Sequence, residues 1–422
     1  MNKSHYLPRL IDERVKLYLS TFGAVCIEGP KWCGKTWTST MHSQSAFLLA
    51  DPANNYANRE LAKLDVNQAL LGKKPHLIDE WQEVPSIWDA VRFAVDQTPS
   101  PGCFLLTGSA TPRQKGIVHS GTGRIATLQM HPMSLFESGS SAGVIALSDV
   151  FAGKEIGVQS VKAPELSELT ELVIRGGWPG SIGKSLRQAA LVPREYVENV
   201  IKADLARLDG IEHNQSKVRK CLLSLARNES TTASMATICG DLAEDGVPPL
   251  NPNTVAAYLD AFQRMFLTNN IEPFSTFLRS PVRIKQQPKR HFCDPSIAAA
   301  LLGATGHMLI KDVRTFGFLF ESMALRDLQI YAEALGARLY HYQDYENREI
   351  DAVIQFEDDT WHAIEIKLNP AQVDEATETL TKVAAIFRHH PPASLSVVVG
   401  KGGVAYRRPD GVYVLPLTAL RP

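Results

Sequence analysis

Gly29-Pro30-Lys31-Trp32-Cys33-Gly34-Lys35-Thr36 follows directly on the apolar run Ala24-Val25-Cys26-Ile27. The eight residues have the spacing G-x-x-x-x-G-K-T, and their context supplies what that spacing needs. A buried strand ends in a Gly-containing loop, and a helix opens near Gly34-Lys35, so that free backbone N–H groups point at a phosphate. Gly29, Pro30, Lys31, Trp32, Cys33, Gly34, Lys35 and Thr36 are therefore expected to cradle the phosphates of a nucleotide. Within the loop, Lys35 reaches the terminal phosphates and the Thr36 hydroxyl ligates Mg2+. Further on, His76-Leu77-Ile78-Asp79-Glu80 reads as a strand ending in two carboxylates. Asp79 is expected to hold the ion directly or through water, and Glu80 to orient or activate an attacking water.

Other apolar runs extend this pattern. Ala46-Phe47-Leu48-Leu49 ends at Asp51-Pro52, Cys103-Phe104-Leu105-Leu106 ends at Thr107-Gly108-Ser109, and Ile125-Ala126-Thr127-Leu128 follows Gly123-Arg124. Apolar strands alternating with helices imply a mostly parallel sheet covered on both faces. Ligands of such sheets bind beyond the carboxyl ends of the strands, so the loops 29–36, 79–80 and 107–109 are expected to meet at one edge. Thr107 or Ser109 would then sense the terminal phosphate by hydrogen bonding; an ordinary strand-to-helix turn is the plainer account of the same residues. Arg124 is a candidate for contact with transition-state charge, from its own subunit or a neighbour, against the plainer role of capping a strand. An arginine acting from a neighbour requires a homo-oligomer.

The chain has 422 residues, of which 44% are apolar and 21% charged, with a formal net charge of -1. That length exceeds one ordinary core, so three domains are expected, over 1–165, 166–300 and 301–422. Near-neutrality excludes a global positive field, and any nucleic-acid contact has to come from a local patch. No apolar stretch has the length needed to cross a bilayer. The opening residues Met1 to Pro8 do not resemble a signal peptide, and the six cysteines are scattered without a close pair, which points to the cytoplasm. Cys33, inside the phosphate loop, is the one cysteine whose oxidation could block a nucleotide.

The fold class expected is α/β: an N-terminal phosphate-loop domain with a parallel sheet, a helical middle segment, and a C-terminal α/β domain. Tyr196 to Leu205 has apolar residues at helical spacing, and Asp204 is read as forming a structural salt bridge. Helices are expected from Lys217 to Arg227, from Thr237 to Leu242, and after an Asn253 cap through Phe262. Three helices before a basic segment suggest a winged helix. Arg279, Arg283, Lys285, Lys289 and Arg290 have no acidic residue between them, and double-stranded DNA is a candidate partner for this 279–290 segment. A solvated wing, or a surface holding an acidic domain, explains the charges equally well.

Beyond residue 317 a helix through Leu335 is followed by strand signals at 338–342, 349–356 and 361–368. Glu365 and Lys367 alternate on one strand and share a face. With Asp351 on the adjacent strand and Glu321 on the preceding helix, they could bind Mg2+ and stabilise a phosphodiester reaction. This resembles the Asp…Glu-x-Lys site of the restriction-endonuclease-like fold. The plainer account is a solvated edge strand.

The phosphate loop, Leu77-Ile78-Asp79-Glu80-Trp81-Gln82, Leu106-Thr107-Gly108-Ser109, Gly123-Arg124, Pro132-Met133-Ser134-Leu135-Phe136-Glu137 and Arg175-Gly176-Gly177-Trp178-Pro179 together resemble a large prokaryotic family of AAA-class ATPases with a conserved C-terminal domain of unknown function. The resemblance implies the same roles for Lys35, Thr36, Asp79 and Glu80. The leading expectation is a Mg2+-dependent ATPase that couples its phosphate state to a conformational change, with ATP, ADP and Mg2+ as ligands. Absence of an Asn-Lys-x-Asp segment favours ATP over GTP. The alternatives are an ATP-controlled DNA-processing nuclease, and a non-catalytic nucleotide-dependent switch with a protein partner in a defence or toxin–antitoxin setting.

Overall fold

Five short strands open the molecule: β1 (Ala24–Glu28), β2 (Ser45–Leu48), β3 (His76–Asp79), β4 (Phe104–Gly108) and β5 (Ile125–Gln129). The computed structural model describes residues 5–98, 100–111, 118–209, 213–243, 251–276 and 286–422. The five strands form one parallel sheet in the order β2-β3-β4-β1-β5. In β1 the two side-chain faces enter different cores. Ala24 and Cys26 pack with Ile78, Leu106 and the helix Ser86–Gln97, while Val25 and Ile27 pack with Leu105, Leu128 and the helix Ile11–Thr21. A strand buried on both faces has to be apolar throughout, which is why the run before Gly29 does not alternate. Each such aliphatic side chain contributes about 1.5–3 kcal/mol by leaving water.

The middle of the chain is helical. Leu166–Arg175, Leu191–Asn199 and Gln215–Arg227 each pack against Pro295–Leu301. The three helices expected before the basic segment are Gln215–Arg227, Met235–Asp241 and Pro252–Arg264. The third is capped by Asn251, whose side chain accepts from Asn253 N, rather than by Asn253. Pro252 fills the first helical position, where its missing N–H costs nothing. Isolated antiparallel bridges join Thr231 to Arg290, Thr268 to Phe292 and Ile271 to Lys289.

The 22-residue helix Val313–Ala334 leads into a seven-stranded sheet. Its strands are β7 (Gln159–Ser160), β8 (Arg338–Gln343), β9 (Glu349–Gln355), β10 (Trp361–Lys367), β11 (Ser394–Val399), β12 (Val404–Arg407) and β13 (Tyr413–Pro416), in the order β7-β12-β13-β11-β10-β9-β8. The pair β6 (Ile145–Ala146) and β14 (Leu420–Arg421) lies beside it. Two strands from residues 145–160 therefore pair with strands beyond residue 400, and a boundary at residue 165 cuts through hydrogen-bonded structure. A single core also runs from Leu135 to Leu420 through the middle helices and the C-terminal sheet. Among the described residues no helix is long and apolar enough to cross a membrane.

Candidate functional site

β1 ends at Glu28, and the loop 29–34 turns back over its carboxyl end into the helix Lys35–Met41. The turn needs Gly34, which has φ +108°; a Cβ there would also press on the Arg9 guanidinium at 3.3 Å. The expected convergence at the sheet edge is present. Thr36 Oγ1 donates to Asp79 Oδ1 at 2.9 Å, and Thr107 Oγ1 donates to the same oxygen at 2.6 Å. Ser109 Oγ donates to Glu80 Oε2 at 2.7 Å, and the Gln82 side-chain amide donates to that oxygen too. Thr107 and Ser109 thus hold the two carboxylates, where a contact with the terminal phosphate was expected of them. The Lys35 ammonium rests on the carbonyls of Gly29 and Pro30 at 2.9 and 2.8 Å.

Burial drives the electrostatics of this edge. Asp79 is displaced upward from the usual aspartate range by desolvation, partly offset by the Thr107 hydroxyl. Glu28, the last residue of β1, is pushed up to about 7 by burial, against the pull of the Lys35 ammonium. Thr36 Oγ1 and Asp79 Oδ1, already in contact, form an oxygen pair suited to a hard cation such as Mg2+.

Several residues that fix the loop were not legible as such. Arg9 is buried; its Nη1 donates to Cys33 O at 2.7 Å, its Nη2 to His131 O at 2.7 Å, and its Nε to Glu137 Oε1 at 3.0 Å. Glu137 also accepts from Leu10 N and Ser134 N, which explains the acid at the end of the Pro132–Glu137 motif. Arg9 lies 24 residues before Cys33, and no local pattern joins them. Cys33 itself is fully buried among Val25, Ile27 and Met130, so its thiol faces the core and not a nucleotide. Lys31 leaves the loop sideways to Asp204 Oδ1 at 2.6 Å. Asp204 ends a π-helical turn, Val200–Asp204, so the expected structural salt bridge ties the phosphate loop to the middle helices.

Arg124 stands elsewhere. Its carbonyl accepts from Ala24 N, at the amino end of β1, and its guanidinium pairs with Asp96 at 2.8 Å. Five strand residues, about 16 Å, separate this edge from the phosphate loop. Arg124 cannot reach phosphates bound in its own subunit, because the parallel register places it at the opposite end of the sheet.

The Gly176-Gly177-Trp178-Pro179 motif runs beneath the nucleotide module. Gly177 O accepts from Met133 N, Gly177 N donates to Asp294 Oδ2, and the Trp178 indole donates to Ser296 Oγ. A Cβ on Gly176 would fall 2.3 Å from Asp294 Oδ1, and its φ of +67° also demands glycine. Asp294 is in turn paired with the buried Arg326, which binds Asp327, and Asp327 accepts from Leu135 N.

At the C-terminal sheet, Glu321, Asp351, Glu365 and Lys367 do come together. Lys367 Nζ lies 2.6 Å from Glu365 and 3.5 Å from Asp351. A fifth residue changes the reading. Lys289, expected in a DNA-facing patch, is buried with its Nζ 2.5 Å from Glu321 and 3.3 Å from Asp351. Burial works to lower the pKa of that ammonium, but Glu321 and Asp351 hold it above the ordinary lysine value. Burial pushes Glu321 and Glu365 upward, while Asp351, desolvated but faced by both lysines, is held below the usual range. Two ammonium groups thus occupy the space between carboxylates where a metal was expected, and among the described residues no three His, Cys, Asp or Glu are arranged to hold one. Arg290 is buried as well, its Nε donating to Ala233 O, so neither Lys289 nor Arg290 is offered to a duplex. Arg279, Arg283 and Lys285 lie outside the described residues.

Residues 21–138 match the AAA domain family. Residues 166–307 match a domain of unknown function, DUF8612, and residues 316–420 match another, DUF4143. Uncharacterized proteins of Mycobacterium bovis and Mycobacterium tuberculosis are each 24% identical over 345 residues, 81% of this chain and 70% of theirs. Among solved structures, a Walker-type ATPase of Pyrococcus abyssi aligns with 71% of this chain and 97% of its own at 14% identity and a TM-score of 0.43. The Orc1 protein of Aeropyrum pernix in complex with DNA covers 71% of this chain and 94% of its own at 12% identity and a TM-score of 0.26. The chain thus carries an AAA domain at its N-terminus and a DUF4143 domain at its C-terminus, a pairing that agrees with the family resemblance of its motifs.

Proposed function

We propose that this AAA-domain chain is a Mg2+-dependent ATPase whose phosphate state is passed to the middle helices and the C-terminal sheet. The observation that carries the reading is the double hydrogen bonding at the sheet edge: Thr36 and Thr107 on Asp79, Ser109 and Gln82 on Glu80. Carboxylates held by neutral donors keep their charge available for the reaction, and their orientation is set before substrate arrives. Lys35 would exchange the carbonyls of Gly29 and Pro30 for phosphate oxygens, a move within the reach of its side chain. Glu80, fixed by Ser109, would orient the attacking water and take its proton. Thr36 and Asp79 would hold Mg2+, which neutralises charge on the phosphate oxygens when bound. Lys31 and its partner Asp204 supply a direct route from the loop to the helical region.

Cleavage of nucleic acid is the second reading, favoured by the meeting of Glu321, Asp351, Glu365 and Lys367 and opposed by Lys289 between the carboxylates. Arg124 fits catalysis only in a neighbouring subunit of a homo-oligomer.

The deciding experiment is phosphate release from ATP with Mg2+ by the wild-type chain and Glu80→Gln, with and without double-stranded DNA. Turnover in the wild type that is lost in the variant, with ATP binding retained, is the expected result. Tight ATP binding without release in either condition would replace the ATPase with a nucleotide-held switch. DNA cleavage that survives Asp351→Ala would remove the C-terminal cluster from any nuclease role.

A further inference from the structure

A cavity of about 400 Å3 opens between the segment 140–164, the helices Leu166–Arg175 and Leu186–Ala189, and the C-terminal tail. Its wall includes Ser140 and Ala142 from the segment that follows the AAA-matched residues, Arg175 and Lys184 from the middle region, and Thr418 from the C-terminal tail. Its volume is in the ordinary range for a small-molecule site.

Arg175 distinguishes it from a crevice between helices. The guanidinium is substantially withdrawn from water, and its hydrogen-bond partners are neutral: Ser138 Oγ at 3.3 Å, Ser140 Oγ at 3.1 Å and Gly176 O at 3.3 Å. Arg290 is likewise buried on a neutral partner, but the two other buried arginines among the described residues are paired. Arg9 meets Glu137, and Arg326 meets Asp294 and Asp327. Among the described residues no carboxylate forms an ion pair with Arg175. A desolvated cation without a counter-charge is costly, and a fork of guanidinium N–H groups is complementary to an oxyanion. Burial and the nearby Arg326 lower the Arg175 pKa from the usual arginine value, more than Asp294 and Asp327 raise it. Independently, Thr418 Oγ1 is buried without a hydrogen-bond partner. Lys184 adds a second positive charge, while the acid Glu168 on the same wall is already held by Lys162 at 2.6 Å. Leu172 and Leu186 supply an apolar side.

We propose that this cavity binds a small organic oxyanion, with the charged head on Arg175, Ser140 and Thr418 and an apolar body against Leu172 and Leu186. The head is a phosphate ester or a carboxylate. Glu171, which also lines the opening, disfavours a polyanion and so sets the site apart from the triphosphate-binding loop. The placement gives a metabolite a hold on the 140–164 segment, the middle helices and the C-terminal tail at once, independently of whether ATP is hydrolysed.

The test uses the full chain and two probes, inorganic phosphate and butyrate, titrated calorimetrically at constant ionic strength. The phosphate loop is silenced by Lys35→Ala, so that any phosphate bound there is subtracted. Binding of at least one probe to Lys35→Ala, weakened at least tenfold in Lys35→Ala/Arg175→Gln, is the expected result; phosphate alone indicates an ester head and butyrate alone a carboxylate. Binding lost in Lys35→Ala, or unchanged in the double variant, overturns the site, as does failure of both probes to bind. Should Arg175→Gln fail to fold, Lys35→Ala/Thr418→Val serves as the second variant. It removes a hydroxyl that holds nothing else and has to weaken binding for the proposal to stand.

Discussion

The phosphate-loop edge and the C-terminal cluster are built from the same chemical parts, yet they are electrostatic opposites. Each brings carboxylates and a lysine together from neighbouring elements. At the loop, Asp79 and Glu80 are held by hydroxyls and an amide, and Lys35 is parked on two carbonyls. Nothing there has spent its charge, and each group can turn to a ligand. At the C-terminal sheet, Glu321, Asp351 and Glu365 are already engaged with Lys289 and Lys367. A ligand cation there would have to displace a buried ammonium and leave it unpaired. The residue types of a motif set what chemistry is available; the counter-charges decide whether it is free.

The comparison breaks most visibly at the loop. Lys35→Ala is expected to lower ATP turnover by about 100- to 1000-fold, because it removes a donor aimed at developing charge. Phosphate release by the pure variant at the wild-type rate would place the active edge elsewhere. Lys289→Met tests the opposite pole. Three buried carboxylates would then face one ammonium, and a loss of about 3–5 kcal/mol at pH 8 is expected from denaturant unfolding. Glu321 and Glu365 titrate above the usual range, so the deficit should shrink as pH falls and they take up protons. A pH-independent deficit would mean that packing, not charge, is what Lys289 supplies.

Glu28 gives a smaller effect of defined sign. Its pKa is raised to about 7 in the folded chain from a reference value of 4.5, so the folded state binds the extra proton between those values. Stability therefore falls as pH rises from 4.5 to 7 and levels off above. The full shift corresponds to about 3 kcal/mol, and Glu28→Gln should remove that slope from a plot of unfolding free energy against pH. An unchanged slope would show that burial does not act on Glu28 as described. Least affected should be the ion pair between the loop and the middle helices. With Lys31 partly exposed, Asp204→Ala is expected to cost no more than about 1 kcal/mol. If the pair transmits the phosphate state, the same variant should still abolish any ATP-induced change in the fluorescence of the exposed Trp32. An intact change would leave the pair as a strut.

Local signals carried much of this molecule. The Gly29–Thr36 spacing after an apolar run, the strand ending in Asp79, and Leu106-Thr107-Gly108-Ser109 all lie where the sequence pattern puts them. Strand burial and helix starts depend on neighbours a few residues away, and such patterns survive in a linear chain. Even the meeting of Glu321, Asp351, Glu365 and Lys367 follows from strand alternation and order. The pairing of distant charges did not show. Lys289 reads as basic surface because its neighbours in sequence are basic, but a bridge to Ile271 turns it toward Glu321 and Asp351. Arg124 looks poised beside a Gly-rich loop, yet the parallel register of β5 with β1 puts it at the far edge of the sheet.

Local pattern sets the phosphate loop, its acidic partners, the parallel sheet that presents them and the helical and α/β regions that follow. Long-range packing pairs strands of residues 145–160 with strands beyond residue 400, braces the loop with Arg9 and Glu137, and leaves one carboxylate cluster open while the other is filled. The physical reason is range. Periodicity and turn chemistry act over a handful of residues, whereas the partner of a buried charge is chosen by whichever group the folded chain brings within about 4 Å.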